Sequence, residues 1–280
     1  MESISAFKQR VKRALSKIDP EILAYNEGEF WMIRMQYEYL EYYAEKKRLY
    51  NTAIALPLAR GMHNGSYRKL PVMRGGVAHK PPYVIHCLTV CKMLADIPLP
   101  LSAEEEDILL ASALCHDMIE DMPFEHGGRE LTEVFGMDPG VYETVKCVSK
   151  RYDFTPEQEQ EFFQSIMENR LAVLIKLSDR GHNVTDLFNM SEWKIHEYIG
   201  ETRTFFLPMC EYARTHYPEL EDATEILQNQ IICLTKAVEC TAEKHAAIRQ
   251  QLSAELETAK RENEILHGML KKLREERTHE

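Results

Sequence analysis

The chain has 280 residues, 44% of them hydrophobic and 9% aromatic, which predicts a globular protein of one or two domains. The formal net charge of −11 argues against a general nucleic-acid or membrane-surface binder, because such proteins present a basic face. Seven cysteines, an odd number in mostly apolar sequence, favour reduced thiols over a disulfide framework. No apolar stretch is long enough for a signal peptide or a membrane span, so we expect a soluble, cytoplasmic protein.

Helical periodicity dominates the chain, and no convincing run of alternating strand residues is present. The sequence therefore predicts an all-α fold. In chain order, helices are predicted from residue 4 to near Pro20 and over residues 28–48, 83–95, 103–119, 129–135, 139–150, 156–168, 169–186 and 191–216. A loop punctuated by glycine and proline is expected between Lys69 and Tyr83.

One segment of this acidic chain carries only positive charge. Between Asn51 and Ala95 there is no aspartate or glutamate. The basic residues of the segment are Arg60, Arg68, Lys69, Arg74, Lys80 and Lys92. Such a segment offers a binding place for a small anion. The alternative is a chance run that acidic segments elsewhere balance.

The stretch ALCHDMIEDM (residues 113–122) adds a histidine and three carboxylates to an apolar helical pattern. On one continuous helix His116, Asp117, Glu120 and Asp121 would share an arc of roughly 140° that faces the predicted core. Burying a charged group is costly unless it is paired or binds a metal. We therefore predict that the His-Asp pair binds a metal ion and that the later acidic pair handles a proton of a water molecule. A solvated helix end is the alternative.

Two further segments offer ligands. The apolar pattern LAVLIKLSDRGHNVTDL (171–187) presents Asp179, with Asn183 one turn later as a substrate contact, although a surface Asp–Arg pair would also fit. His86 lies near the start of another apolar helix, where a satisfied core histidine is the alternative. With the His-Asp pair these residues supply two nitrogens and two oxygens, a set that favours manganese or iron over a thiolate zinc site.

The C-terminal part has a seven-residue period. One heptad position is taken by Ile231, Val238, His245, Leu252, Ala259, Leu266 and Leu273. A second row contains Leu234, Ile248 and Met269, but Glu255 and Glu262 interrupt it. The pattern predicts one long helix, which either forms a coiled-coil homodimer or packs on its own domain.

Six motifs in order make residues 50–235 resemble the hydrolase domain of the RelA/SpoT homologues, a family of HD-domain phosphohydrolases that includes stand-alone alarmone hydrolases. They are MHNGSYRK, PPYVIH, ALCHDMIEDM, VFG, VKCVSK and LIKLSDRGHNVTDL. The resemblance implies an HD-domain helical bundle around one manganese ion. It also implies removal of the 3′-diphosphate of guanosine tetra- or pentaphosphate, giving GDP or GTP and pyrophosphate. The implied domains are an N-terminal helical extension (1–49), the HD phosphohydrolase domain (50–235) and the C-terminal long helix or coiled coil (236–280).

Matching positions carry the roles of the family onto this chain. The implied metal ligands are His86, His116, Asp117 and Asp179, which would hold Mn²⁺, with Fe²⁺ or another divalent ion as the alternative. The implied catalytic pair, which activates and steers the attacking water, is Glu120 and Asp121. The implied substrate-binding residues are Arg68, Lys69, Asn183 and Tyr198. The implied substrate partner is a guanosine alarmone nucleotide, and no membrane or nucleic-acid partner is expected.

The chain also departs from the family pattern. The loop between Lys69 and Tyr83 is longer than usual and adds basic residues beside the implied pocket, which leaves the nucleotide open. Another nucleotide such as NADPH, or a non-catalytic nucleotide sensor, is therefore the alternative to alarmone hydrolysis. Cys87 replaces the proline that normally follows the ligand histidine. A zinc site of Cys87, Cys91 and Cys115 is a further alternative, although Cys-x-x-Cys spacing is absent.

Overall fold

A computed structural model describes residues 2–25, 31–68, 72–74, 77–122, 124–150 and 154–277. Within these ranges the chain is helical apart from one small hairpin, so the predicted all-α fold with a long C-terminal helix is confirmed. The chain divides into two compact units, Met1–Leu234 and Thr235–Glu280. No helix in the described part is both long and apolar enough to span a membrane.

Most helices of the first unit follow the predicted segments, but those over Pro20–Leu23 and Tyr50–Met62 were not predicted, and the helix predicted over 191–216 is interrupted by a π-helical turn. In chain order they are α1 (Ile4–Leu15), α2 (Pro20–Leu23), α3 (Trp31–Lys47), α4 (Tyr50–Met62), α5 (Val84–Asp96), α6 (Ala103–Cys115), α7 (Met118–Asp121), α8 (Glu130–Glu133), α9 (Pro139–Val148), α10 (Pro156–Met167), α11 (Arg170–Val184), α12 (Glu192–Glu201) and α13 (Leu207–His216). Short 3₁₀ turns cover Thr185–Asn189 and Pro218–Leu220, and a π-helical turn covers Thr202–Phe206.

Helix starts follow the capping chemistry of the sequence. Ser102 and Thr155 form capping boxes at the starts of α6 and α10, each with the Glu or Gln three residues later. Asn169 accepts hydrogen bonds from two amides of the first turn of α11. These local signals are why the boundaries of α6, α10 and α11 lie close to the predicted ones.

The segment predicted as a loop between Lys69 and Tyr83 contains a hairpin. Strands β1 (Val72–Arg74) and β2 (Val77–His79) pair antiparallel, with Val72 opposite His79. Three residues per strand are too few for an alternating pattern to be recognised in the sequence. The hairpin leaves the fold class unchanged.

The helix predicted over residues 103–119 is wrong in one respect, because it breaks where the His-Asp pair lies. Helix α6 ends at Cys115, His116 and Asp117 form a turn, and α7 begins at Met118. Asp117 has φ −94° and ψ −4°, outside the usual helical range. On a continuous helix the two adjacent side chains would point about 100° apart. The break lets both of them turn toward one point.

Five helices form the centre of the first unit. Helix α6 packs against α4, α5 and α9, and α11 packs against α5 and α9. Their facing side chains are apolar and fully buried, among them Leu58, Leu88, Leu109 and Leu174. The apolar patterns of α5, α6 and α11 thus place these helices side by side, and each of them contributes to the site described next.

Helix α14 (Glu221–Arg277) begins fifteen residues earlier than the predicted C-terminal helix. Its residues to Leu234 belong to the first unit, and the rest form the second unit. Large apolar side chains of the second unit are exposed: Ile248, Leu252, Leu256, Ile265, Leu266, Met269 and Leu270.

Candidate metal centre and adjoining cavity

The four predicted ligands meet at one buried point. His86 comes from α5, His116 and Asp117 from the turn after α6, and Asp179 from α11. His86 Nε2 lies 3.1 Å from both His116 Nε2 and Asp179 Oδ1. His116 Nε2 lies 3.1 Å from Asp117 Oδ2. Ligands of one ion with bonds of roughly 2.1 Å are about 3.0 to 3.4 Å apart, so these separations suit a shared ion.

The charges of the cluster also favour a cation. Burial would raise the pKa of the Asp117 carboxyl, but the His116 imidazole outweighs burial and holds that pKa well below its usual range. The pKa of Asp179 is lowered in the same way, with Lys176 as the largest influence against burial. At His116 the nearby Asp117 outweighs burial and raises the pKa to about 10. Two ionised carboxylates therefore require a positive charge between them, either a proton on His116 or a metal ion.

His86, His116 and Asp179 each offer a ligand atom, and the three atoms lie within 4.8 Å of one another. His116 Nδ1 lies 2.9 Å from the Ala113 carbonyl, to which it donates, and this leaves Nε2 facing the cluster. The donor set is two imidazoles with carboxylate, which suits a borderline or hard divalent ion. The residues present therefore fit a metal ion.

A second layer of side chains fixes the orientation of the ligands. The Tyr83 hydroxyl donates to Asp117 Oδ2 at 2.6 Å, and Asn183 Nδ2 donates to Asp179 Oδ1 at 2.5 Å. His86 Nδ1 lies 2.7 Å from His182 Nδ1. Burial and the neighbouring His86 lower the pKa of His182 to about 2, which keeps that ring neutral. Partners of this kind hold metal-binding side chains in place.

Of the predicted substrate-binding residues, Arg68 and Asn183 contact each other, whereas Tyr198 lines a neighbouring cavity. Arg68 donates to Asn183 Oδ1 at 2.7 Å and pairs with Asp186, its Nε lying 3.0 Å from Asp186 Oδ2. Asn183 thereby links the Arg68 guanidinium to the Asp179 carboxylate. Tyr198 lines the cavity described next. Lys69 lies outside the described residues, as do the side chains of Arg74 and His79 from the predicted basic loop.

A cavity of about 760 Å³ adjoins the cluster. The Asp117 and Asp179 carboxylates form part of its wall, together with both residues of the predicted catalytic pair, Glu120 and Asp121. Opposite charges also line it: Lys150, Lys176, Arg180 and Lys194. The carboxylates of the candidate metal centre and four cationic side chains therefore line the same cavity.

Glu120 has the surroundings of an acid–base group. Its Oε1 accepts a hydrogen bond from the backbone N–H of Lys150. Burial raises the pKa of the Glu120 carboxyl to about 7. A carboxyl group that changes protonation near neutral pH can take up and release a proton at working pH.

Aromatic side chains close another side of the cavity. Arg180 pairs with Glu201 and lies over the rings of Tyr198 and Phe206, 4.0 and 3.8 Å from their centroids. The π-helical turn Thr202–Phe206 contributes to this wall, and Phe163 and Phe205 stack there with centroids 4.2 Å apart. Such π-helical turns are frequent at functional sites.

Sequence reasoning missed the cationic wall and two residues of the second layer, Tyr83 and His182. Lys176 carried a usable signal, because it is a lone cation in the apolar run LAVLIKLSD three residues before Asp179. Lys150 ends the motif VKCVSK, so it was within reach of the resemblance but was given no role. Lys194 carried no signal, because a lone lysine between Trp193 and Ile195 is ordinary for an amphipathic helix.

The fold and the centre together make this an HD-like helical protein, whose core helices bring histidine and aspartate side chains to one point that fits a metal ion. The chain is a distant homologue of the SpoT/RelA-family (p)ppGpp hydrolases. It is 25% identical over 212 residues to the bifunctional (p)ppGpp synthase/hydrolase SpoT of Escherichia coli, covering 71% of this chain and 28% of that protein.

Two other relatives are named guanosine-3′,5′-bis(diphosphate) 3′-pyrophosphohydrolase. The protein of Haemophilus influenzae is 29% identical over 175 residues, which is 59% of this chain and 23% of the relative. The protein of Aquifex aeolicus is 32% identical over 134 residues, which is 46% of this chain and 18% of the relative. The chain thus spans less than a third of the length of these relatives. No family model matches it.

Proposed function

We propose that the chain is a phosphohydrolase, dependent on a divalent metal such as Mn²⁺, that removes the 3′-diphosphate of guanosine tetra- or pentaphosphate. The products are GDP or GTP and pyrophosphate. The observation that carries this proposal is the single cavity shared by the His/Asp cluster, a carboxyl group with a pKa of about 7 and four cationic side chains. The activities named for the homologous proteins support the choice of substrate.

The cationic wall suits a substrate with several phosphate groups. Lys150 pairs with Glu159, and Lys194 pairs with Glu197 at 2.5 Å. Both lysine side chains are about one-third or more exposed, and pairs of this kind contribute little to stability. They can exchange a carboxylate for a phosphate at small cost, and phosphate binding would then order both side chains.

A bound divalent ion would supply a Lewis acid for the phosphoryl oxygens and lower the pKa of water. Glu120, in its ionised form, accepts the proton of the attacking water, and its fixed bond to the Lys150 amide holds the carboxylate in one orientation. Lys176 is largely buried beside the carboxylates, which outweigh burial and raise its pKa, so it stays charged. Its ammonium stabilises negative charge that develops on the phosphoryl group.

Product analysis on the purified protein tests the proposal. In Mn²⁺, guanosine tetraphosphate should give GDP and pyrophosphate in equal amounts. The Asp117→Ala and Glu120→Gln variants should lose most of this activity, whereas Glu125→Gln, a change at an exposed position outside the cavity, should retain it. Wild-type protein that binds Mn²⁺ and leaves the nucleotide intact would contradict the substrate assignment.

The same assay separates the alternatives. Release of phosphate from NADPH without cleavage of guanosine tetraphosphate would keep the centre and change the nucleotide. Arg68 was predicted to bind substrate, but it contacts Asn183 and Asp186 and does not line the cavity. This placement is the observation that favours NADPH as a second candidate substrate. Tight nucleotide binding without turnover would indicate a sensor.

We further propose the division into an extension (1–49), a catalytic domain (50–235) and a C-terminal helix (236–280), with homodimerisation through that helix. The exposed apolar side chains of the second unit support the dimer, because four of them, Ile248, Leu252, Leu266 and Met269, follow the heptad pattern.

A further inference from the structure

Cys87 has a side chain of a type that binds metal ions, and it takes no part in the proposed hydrolysis. It follows His86 on α5 and is fully buried. Its Sγ, a ring nitrogen of His116 and a carboxylate oxygen of Asp117 all lie within 4.8 Å of one another. Within the described part of the chain its thiol is free of any disulfide. Three different ligand types therefore converge from α5 and from the turn after α6.

The ligand chemistry of this group differs from that of the His/Asp cluster. A thiolate is a soft ligand that binds Zn²⁺ well, whereas carboxylate-rich sites suit Mn²⁺. Zinc bonds of about 2.3 Å to sulfur and about 2.0 to 2.2 Å to nitrogen and oxygen place neighbouring ligands less than 4.8 Å apart. The separations of the three ligand atoms are therefore compatible with one shared zinc ion.

We propose that Cys87, His116 and Asp117 form a thiolate-containing site for a borderline or soft divalent cation such as Zn²⁺, which competes with the ion held by His86, His116 and Asp179. Competition follows because His116 belongs to both groups, and its Nε2 can bind one ion at a time. The proposal rests on the cluster being a metal centre and does not depend on which nucleotide is hydrolysed.

The binding step balances without a redox partner. The S–H bond of Cys87 breaks, a sulfur–metal bond forms, and the proton leaves to solvent. The charge of the ion is offset by the thiolate and the Asp117 carboxylate. Zinc binding should therefore release about one more proton per site than manganese binding.

Cys91 provides a matched control for Cys87. It lies one turn later on α5, is equally buried and belongs to neither of the two metal-ligating groups in the described part of the chain. The three-cysteine zinc site that the sequence analysis gave as an alternative (Cys87, Cys91 and Cys115) is likewise absent from those groups. Replacing either Cys87 or Cys91 by alanine removes one buried sulfur atom from the same helix, but only Cys87 supplies a ligand.

Cobalt titration of the metal-free full chain tests the proposal. Because Cys233 and Cys240 are exposed, both are first changed to serine. In this background Co²⁺ should produce a thiolate-to-metal charge-transfer absorption that disappears in Cys87→Ala and persists in Cys91→Ala. The Zn²⁺ affinity of Cys87→Ala should fall about tenfold or more, and its Mn²⁺ affinity should change less than about twofold. Absence of the band in the background protein, or its persistence in Cys87→Ala, overturns the proposal.

A second measurement covers the case in which Cys87→Ala does not fold. The X-ray absorption spectrum of Zn²⁺ bound to the background protein should show one sulfur neighbour at about 2.3 Å. A shell of nitrogen and oxygen alone overturns the proposal. Neither measurement involves nucleotide, so failure of the hydrolysis assay and failure of this proposal are distinguishable.

Discussion

At the scale of single residues, the contact between His86 and His182 decides which nitrogen of His86 faces the cluster. The two Nδ1 atoms are 2.7 Å apart, so one of them must donate. If His86 Nδ1 carries the hydrogen, its Nε2 keeps a lone pair for a metal ion. Neutral His182 is then the acceptor, and it acts as a positioning residue.

Replacing His182 by alanine should weaken metal binding. Loss of the acceptor frees the ring of His86, and loss of such a partner typically costs 10- to 100-fold in metal affinity, as an order of magnitude. His182→Asn, whose amide oxygen can accept the same hydrogen bond, should recover part of this loss. Calorimetric titration with Mn²⁺ measures the effect, with the exposed His196→Ala as the control. Equal affinities for wild type and His182→Ala would show that the contact has no positioning role.

The pKa of Glu120 predicts how activity depends on pH. Burial raises this pKa to about 7, and a general base acts in its ionised form. As the pH falls through about 7, Glu120 becomes protonated and kcat/KM should fall about tenfold per pH unit below that value. The measurement is kcat/KM from pH 5.5 to 9 at saturating metal, the pH range being chosen to bracket about 7. If the residual activity of Glu120→Gln still showed the same fall in kcat/KM at low pH, a group other than Glu120 would be responsible for that fall.

At the scale of elements, helix α4 is capped by a residue from another helix. Its own N-cap, Leu49, has no side-chain hydrogen bond. Instead the Asp107 carboxylate of α6 accepts hydrogen bonds at 2.8 Å from the backbone amides of Asn51 and Thr52. The side chains of both residues donate to it as well. Helices α4 and α6, which form the centre of the bundle, are thus joined through one buried carboxylate.

Asp107→Ala should destabilise the fold by about 2–4 kcal/mol, because it leaves buried amides without acceptors. Thr155→Ala, which removes an exposed cap within a single helix, should cost only about 1 kcal/mol. Chemical denaturation of both variants gives the two free energies of unfolding. Similar values would mean that the link between α4 and α6 contributes no more than an ordinary cap.

The elements also show where sequence reasoning succeeds and where it fails. The convergence of His86, His116, Asp117 and Asp179 could be predicted because a polar residue in an apolar helical pattern needs a partner. The break after Cys115 could not be predicted, since nothing in ALCHDMIED disfavours a continuous helix locally. The cationic wall was missed because its residues come from three separate segments, namely the end of α9, helix α11 and helix α12, and tertiary packing alone brings them together.

At the scale of the whole molecule, the exposed apolar residues of the second unit determine the oligomeric state that we expect. Its exposed apolar residues at heptad positions predict that the chain forms a dimer of twice the 32.6 kDa monomer mass. The double variant Leu252→Glu and Leu266→Glu should be monomeric, because it places charge in the seam. Light scattering coupled to size-exclusion chromatography measures the mass. Gln250→Glu, at the outermost heptad position, is the control, and a monomeric wild-type chain would refute the dimer.

The end of α6 at Cys115 has an electrostatic consequence for the centre. The peptide dipoles of a helix sum to a partial negative charge at its C-terminus. Because α6 stops at the His-Asp turn, this end of the macrodipole lies next to His116 and Asp117. The backbone itself therefore attracts cations to the centre, and it continues to do so when a single ligand side chain is replaced. Variants that lack one carboxylate should accordingly bind a metal ion more weakly rather than not at all.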